Sequence, residues 1–297
     1  MTSTLRLAVA QSTVPEDPTD PENLRTSGEE IRRLMRQASD AGARLVQFPE
    51  GAITYPSKYV MSSGAPGTVA AADWSRVPWD VVRGEAETIA DLAGELGLWV
   101  AFGSIHPLTP PHRPHNSLYV VSDQGRLVGR YDKRYLSNTE VSYMYTPGSA
   151  PLTFEVDGIR FGTALCIEAN FPELFAEYEQ LDVHCVLLSV MVDDAARAVL
   201  AQAYATLYNY WVGYSVPAQF GATAPAEIIA PGGRRLASCR AGTEPGLAIT
   251  DIDLSTPDAD IDVALHLARP WRRMAGPSLY DSRLVRGDSR SDTRTAF

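Results

Sequence analysis

Three residues far apart in the chain, Glu50, Lys133 and Cys166, have the types needed for acyl transfer, and each closes an apolar run. Cys166 follows Ile159-Arg160-Phe161-Gly162-Thr163-Ala164-Leu165 and precedes Ile167-Glu168-Ala169-Asn170-Phe171-Pro172. The first stretch predicts a short buried strand. The second predicts a turn feeding a helix, with Pro172 in the first helical turn, where a missing N–H does no harm. A thiol so placed meets converging backbone N–H groups and a helix dipole that favours the thiolate. Glu50 ends Arg44-Leu45-Val46-Gln47-Phe48-Pro49 and is followed by Gly51; Lys133 ends Leu127-Val128-Gly129-Arg130-Tyr131-Asp132. Strand ends are where a sheet fixes a side chain and a loop exposes it. In such a set Glu50 is general base and acid and Cys166 the nucleophile. Lys133, with the backbone N–H of Ile167, stabilises the oxyanion. Taken singly, each residue has a bland reading: a buried small hydrophobe, a turn cap, a solvated cation. The combination favours chemistry, by way of a thioester and with no metal or organic cofactor required.

The elements that must position these residues alternate between strand-like and helical patterns, which predicts an α/β protein. Strands are expected near residues 5–11, 43–49, 98–105, 116–122, 126–132, 152–156, 159–165, 183–190, 211–218, 226–230 and 247–252. A first helix is expected to open on a Ser27/Glu30 capping box and to end at Gly42. A second spans about Trp79 to Leu96 with Gly97 as its stop, a third begins at Pro172, and a fourth runs from about Asp194 to Tyr210. Residues 52–78 read as an extended loop beside Glu50, able to cover the site. Within it Tyr55, Tyr59 and Trp74 line a substrate pocket or anchor the loop, and the residues leave both readings open. Asn170 and Met191 are further pocket candidates.

The segments Phe48-Pro49-Glu50, Tyr131-Asp132-Lys133-Arg134-Tyr135-Leu136 and Cys166-Ile167-Glu168 with Phe171-Pro172-Glu173-Leu174 resemble the nitrilase, or carbon–nitrogen hydrolase, superfamily. Supporting stretches are Leu5 to Gln11, Phe102-Gly103-Ser104, Asn116 to Val121, Gly125 to Gly129, Tyr145-Thr146-Pro147-Gly148 and Ile228 to Gly233, so the likeness runs to about Leu254. Two departures stand out. Many members carry Tyr or Trp where this chain has Ile167, and Thr223 to Glu227 replaces a common Gly-x-Ser element. The resemblance implies a four-layer α-β-β-α sandwich, a Glu-Lys-Cys triad and Glu140 as a second, supporting glutamate. It implies subunits paired into a homodimer or a higher homo-oligomer. The activity implied is hydrolysis of a small linear amide or carbamoyl compound, with a nitrile-hydrolysing enzyme as runner-up. A non-catalytic binding protein on the same fold would be expected to have lost a triad member. Glu168 is expected to hold the turn at Cys166 rather than to react.

Composition sets the outer bounds. The chain has 297 residues, 45% hydrophobic and 21% charged, as in ordinary soluble domains. A net charge of −10 argues against nucleic acid as partner. No run reaches the roughly 18 apolar residues of a membrane span, and the N-terminus shows no signal-peptide pattern. Three cysteines form no disulfide framework, so a reducing cytoplasm is expected, with Cys185 and Cys239 inert. The five histidines form no metal site, and no phosphate-binding glycine loop or serine-hydrolase elbow is present. With no linker in view, residues 1–268 are read as one catalytic domain. Residues 269–297 are read as a tail that packs on a partner subunit or is partly disordered at its end, with Trp271 and Tyr280 as anchors.

Overall fold

Apolar runs of five to eight residues that are buried on both faces must lie inside a layered structure, and here they form two stacked sheets. A computed structural model describes residues 4–275 and 277–292. The first sheet contains β1 (Thr4–Gln11), β2 (Leu45–Gln47), β3 (Trp99–His106), β4 (His115–Val121), β5 (Leu127–Asp132) and β12 (Gly246–Asp253). Its order is β12-β1-β2-β3-β4-β5. The second contains β6 (Thr153–Val156), β7 (Ile159–Leu165), β8 (Cys185–Ser189), β9 (Trp211–Ser215), β10 (Glu227–Ile229) and β11 (Arg235–Ser238), in the order β11-β10-β9-β8-β7-β6. The centre of each sheet is parallel, β1-β2-β3 and β7-β8-β9, and antiparallel strands complete the edges. Pairing of β1 with β12 from Thr4↔Asp253 to Gln11↔Gly246 ties the two ends of the body together.

Helices α1 (Pro21–Asp40) and α2 (Trp79–Leu96) cover the outer face of the first sheet through Leu24, Ile31, Leu34, Val82 and Ile89. Helices α3 (Pro172–Gln180) and α4 (Ala196–Tyr208) cover the second through Leu174, Phe175, Ala201 and Ala205. The result is the four-layer α-β-β-α sandwich. Between the sheets a few polar groups lock the register. Gln47 Nε2 donates to Ser189 Oγ and to Gly213 O, each at 3.1 Å, while Ser189 Oγ donates to Phe48 O and Ser215 Oγ to Ala10 O. These bonds join β2, which carries Glu50, to β8, the parallel neighbour of the strand that carries Cys166.

Helix α2 begins and ends where the sequence places it, and Gly97 supplies the left-handed stop at φ 61°. Helix α1 is capped seven residues earlier than expected. Asp20 is its N-cap, bonded to Glu22 N, with Pro21 at the first helical position. Ser27 lies within the helix and donates to Asn23 O, and Glu30 turns outward to accept Thr13 N at 2.6 Å. The Ser27/Glu30 pair is therefore no capping box. Strand β11 was not anticipated; its half-exposed residues pair only along β10. The segment 52–78 is irregular apart from a short turn at Trp74–Arg76, and Asp73 N→Met61 O and Ala72 N→Tyr143 O hold it down.

The domain boundary expected at residue 268 falls inside a continuous helical run. Helix α5 (Ala259–Val263) passes through a wide turn, Ala264–Ala268, into α6 (Arg269–Met274). Arg269 donates to Val183 O, and Arg273 binds Glu179 and Asp182, so this part of the tail docks on its own chain. Trp271 and Tyr280 are about half exposed on the single chain. The last five residues of the expected tail lie outside the described residues. Among the described residues no helix is long and apolar enough to cross a membrane.

Candidate active site

Glu50 reaches the site because strand β2 stops after three residues and the chain turns at Pro49-Glu50-Gly51. Gly51 adopts φ 65°, and Phe48 N→Ala101 O and Ile53 N→Gly103 O hold the turn against β3. A side chain at Gly103 would place its Cβ 2.2 Å from Gly51 N, so only glycine lets β3 approach this closely. The carboxylate is fully buried. Its Oε1 accepts from Lys133 Nζ at 2.7 Å and from Asn116 Nδ2 at 2.8 Å. Its Oε2 has no partner among the described residues.

Lys133 follows β5, and the β4–β5 ladder sets its position. Ser117 pairs with Asp132, which brings Asn116 level with Lys133, and Lys133 N donates to Asn116 O at 2.9 Å. One register thus supplies both the ammonium and the amide that meet on Glu50. Lys133 Nζ also donates to Glu140 Oε1 at 2.8 Å, and the other Glu140 oxygen accepts Ser137 N. Glu140 opens a wide helical turn, Glu140–Met144.

Cys166 follows β7 in a left-handed conformation, φ 46°. For a non-glycine residue such a conformation costs about 1–3 kcal/mol and must be held in place by its surroundings. Glu168 does the holding. One of its oxygens accepts Leu165 N at 2.7 Å. The other accepts Arg134 N, Tyr135 N and the Tyr131 hydroxyl. A single buried carboxylate therefore clamps the segment bearing Lys133 to the segment bearing Cys166. Cys166 opens a five-residue turn, Cys166–Asn170, so it sits a full turn away from the N-terminus of α3. Its Sγ lies 3.9 Å from Met191 O.

Two carboxylates share one ammonium, and burial decides how the charge settles. Desolvation raises the Glu50 pKa, with Lys133 pulling against it and Glu140 adding to it. Burial also penalises ionised Glu140, yet attraction to Lys133 and the Ser137 bond outweigh it, so Glu140 stays below the usual carboxylate range. Burial disfavours the Lys133 cation as well, but Glu140 and Glu50 more than reverse that, and Lys133 stays charged. Cys166 is raised well above an ordinary thiol by burial and then by Glu50. The expectation that a helix dipole favours its thiolate is thus corrected: the resting sulfur carries its proton. Glu50, with an open oxygen and a raised pKa, is the group suited to receive it.

The remaining candidates separate. Tyr55 feels Glu50, Glu140 and Lys133, and its hydroxyl is held protonated chiefly by burial. It lines a cavity of about 290 Å³ with Tyr59, Ser137, Glu140, Met144 and Tyr145. Tyr59 is exposed at its rim. Trp74 donates to Met144 O and packs on Tyr145 and Trp79, so it anchors the loop. Asn170 is exposed and accepts from Arg197; Met191 offers its carbonyl to the thiol. Ile167 follows Cys166 directly in the same turn. Sequence reasoning missed the contact of Asn116 with Glu50 and the buried, unpartnered hydroxyl of Tyr145, which feels both glutamates. A β4–β5 pairing would have pointed to the first. Cys185 and Cys239 are free, buried thiols with pKa values raised by burial, Cys239 to about 11.

The family model described as carbon-nitrogen hydrolase matches residues 6–260. A Mycobacterium tuberculosis (strain ATCC 25618 / H37Rv) protein named hydrolase Rv0480c is 27% identical over 285 residues, covering 87% of this chain and 92% of its own length. The 2-oxoglutaramate amidase of Bacillus subtilis (strain 168) is 26% identical over 151 residues, covering 47% of this chain and 56% of its own length. An amidase from Nesterenkonia sp. superposes with a TM-score of 0.68 at 20% identity, over 91% of this chain and 96% of the other. A variant of the Nesterenkonia sp. AN1 amidase, bearing acrylamide added at its active site cysteine, superposes with a TM-score of 0.70 at 18% identity, over 91% and 99%. Likeness at these identities speaks to the fold.

Proposed function

The chain belongs to the carbon–nitrogen hydrolase family, and from that premise we propose that it hydrolyses a small linear amide or carbamoyl compound through a thioester on Cys166. The observation that carries this reading is the buried bridge Glu50–Lys133–Glu140, at 2.7 and 2.8 Å, whose three charges all act on the thiol of a conformationally strained cysteine. The names of the relatives give it support: two of the proteins to which the chain is similar are amidases.

In this mechanism the open Oε2 of Glu50 takes the thiol proton as sulfur adds to the carbonyl carbon. Lys133 Nζ and the Ile167 N–H hold the developing oxyanion, in a site where burial strengthens each charge–dipole contact. Glu50 returns the proton to the departing nitrogen, and ammonia or an amine leaves a thioester behind. Water then attacks, with Glu50 again as base, and the acid is released as the sulfur regains its proton. The raised pKa of Glu50 suits both halves of the cycle, because the group must accept and donate with similar ease. Glu140 keeps Lys133 charged and aimed. Tyr55 and the cavity beside Glu140 offer walls for the substrate. Assembly into a homodimer is part of the same proposal.

The test is ammonia release from a panel of linear amides, carbamoyl compounds and nitriles, with Cys166→Ala and Glu50→Gln alongside. Turnover of at least one amide, abolished in Cys166→Ala and blocked at acylation in Glu50→Gln, is expected. Activity above a few per cent in Cys166→Ala, or exclusive turnover of nitriles, contradicts the reading.

A further inference from the structure

At the opposite end of the second sheet from Cys166, a cavity of about 420 Å³ opens between the start of β8 and the C-terminal helical run. Strand β7 separates the two regions, seven residues or roughly 20 Å at about 3.3 Å per residue. Arg269, His184, Arg273, Asp182 and His266 line the cavity, with Leu254, Leu265 and Pro270 as its apolar wall.

Arg269 is 7% exposed, and a guanidinium so deeply buried normally requires a carboxylate. Among the described residues none lies in ion-pair contact with it. Its one hydrogen bond runs from Nη2 to Val183 O at 2.7 Å, and Nε has no partner. The nearby acids are already engaged. Arg273 donates to Glu179 Oε1 and Asp182 Oδ1, each at 2.6 Å, and to Glu179 O at 2.7 Å. Arg273 thereby adds its own repulsion to the strain on Arg269, whose affinity for its proton is lowered by burial and then by Arg273.

His184 supplies a second donor. Its Nδ1 accepts Arg160 N at 2.9 Å, which leaves the ring proton on Nε2 in the neutral form. Burial, then Arg269 and Arg160, keep the ring neutral. His266 is already bonded to Asp262. A guanidinium short of acceptors, an imidazole N–H and an apolar wall together make a site suited to a negative ligand.

We propose that this cavity binds a small oxyanion such as phosphate or sulfate, held by the Arg269 guanidinium and the His184 Nε2–H. The ion takes the place of the carboxylate that Arg269 lacks and pins the C-terminal helical run to the head of β8. Asp182, which also borders the cavity, opposes binding and limits the affinity.

The experiment follows the melting temperature of the full chain against inorganic phosphate, with ionic strength held constant by potassium chloride. A saturable rise is expected for the wild type, since a ligand that binds only the folded state stabilises by mass action. Arg269→Gln should abolish the rise. Asp182→Asn, a change at an exposed position that removes a like charge, should lower the half-saturating phosphate concentration several-fold. No saturable rise in the wild type, an equal rise in Arg269→Gln, or an unchanged half-saturation in Asp182→Asn overturns the proposal.

Discussion

Replacing Glu168 by glutamine tests whether one buried carboxylate holds Lys133 and Cys166 in register. The four hydrogen bonds to Glu168 divide three and one: Arg134 N, Tyr135 N and the Tyr131 hydroxyl on one oxygen, Leu165 N on the other. A glutamine can keep its carbonyl on the crowded side, and its NH2 group must then face Leu165 N–H. One charge-assisted bond is lost and two donors are set against each other, which together cost about 2–3 kcal/mol. For a chain of this size that is a fall in melting temperature on the order of 3–5 °C. The displaced Leu165–Cys166 backbone should also lower kcat/KM by roughly ten- to a hundredfold, because small misplacements of a nucleophile are expensive. Calorimetry and steady-state kinetics on the same preparation read both effects. A variant with unchanged melting temperature and full kcat/KM refutes the clamp.

The pH profile follows from the signs of the shifts. Glu50 is raised, so activity should fall on acidification at a pH above the ordinary glutamate value of about 4.3. Glu140 is depressed in the folded state, so its stabilising contribution is complete above that value and disappears only as pH falls through its lower folded pKa. Lys133 is raised, and its contribution persists below about 10.4, to be lost as pH climbs through the higher folded value. An acidic window of folded, inactive protein is expected, read by circular dichroism beside kcat/KM; simultaneous loss of fold and activity contradicts it. Gly103→Ala drives a methyl group to 2.2 Å from Gly51 N and 2.6 Å from Pro49 O, and should cost about 1–3 kcal/mol and most activity. Gly84→Ala in α2 meets nothing within 4 Å and should instead stabilise by about 0.5–1 kcal/mol; equal effects at the two sites would show that the close approach at Glu50 is unimportant.

Much of the candidate site was legible because its residues sit at punctuation marks. Gly97 and Pro172 stop and start helices for local reasons, and Glu50, Lys133 and Cys166 each end an apolar run, so order along the chain marked them as candidates. What escaped depends on pairing between distant segments. Asn116 reaches Glu50 through the register of β4 on β5, and no local pattern encodes that register. Glu30 has capping-box spacing from Ser27 but serves Thr13, which only tertiary structure brings near. Asp20-Pro21 was the true start signal of α1, masked by the more familiar motif. A strand-end position suggested a helix dipole favouring the Cys166 thiolate, whereas burial and a neighbouring carboxylate raise the thiol pKa.

The most direct measurement is the intact mass of the protein quenched during turnover of an amide that it hydrolyses. A mass increase equal to the acyl portion of the substrate, mapped by peptide analysis to Cys166 and absent from Cys166→Ala, is the predicted result. Turnover with no acyl adduct under single-turnover conditions, or an adduct mapped to Cys185 or Cys239, would contradict the account.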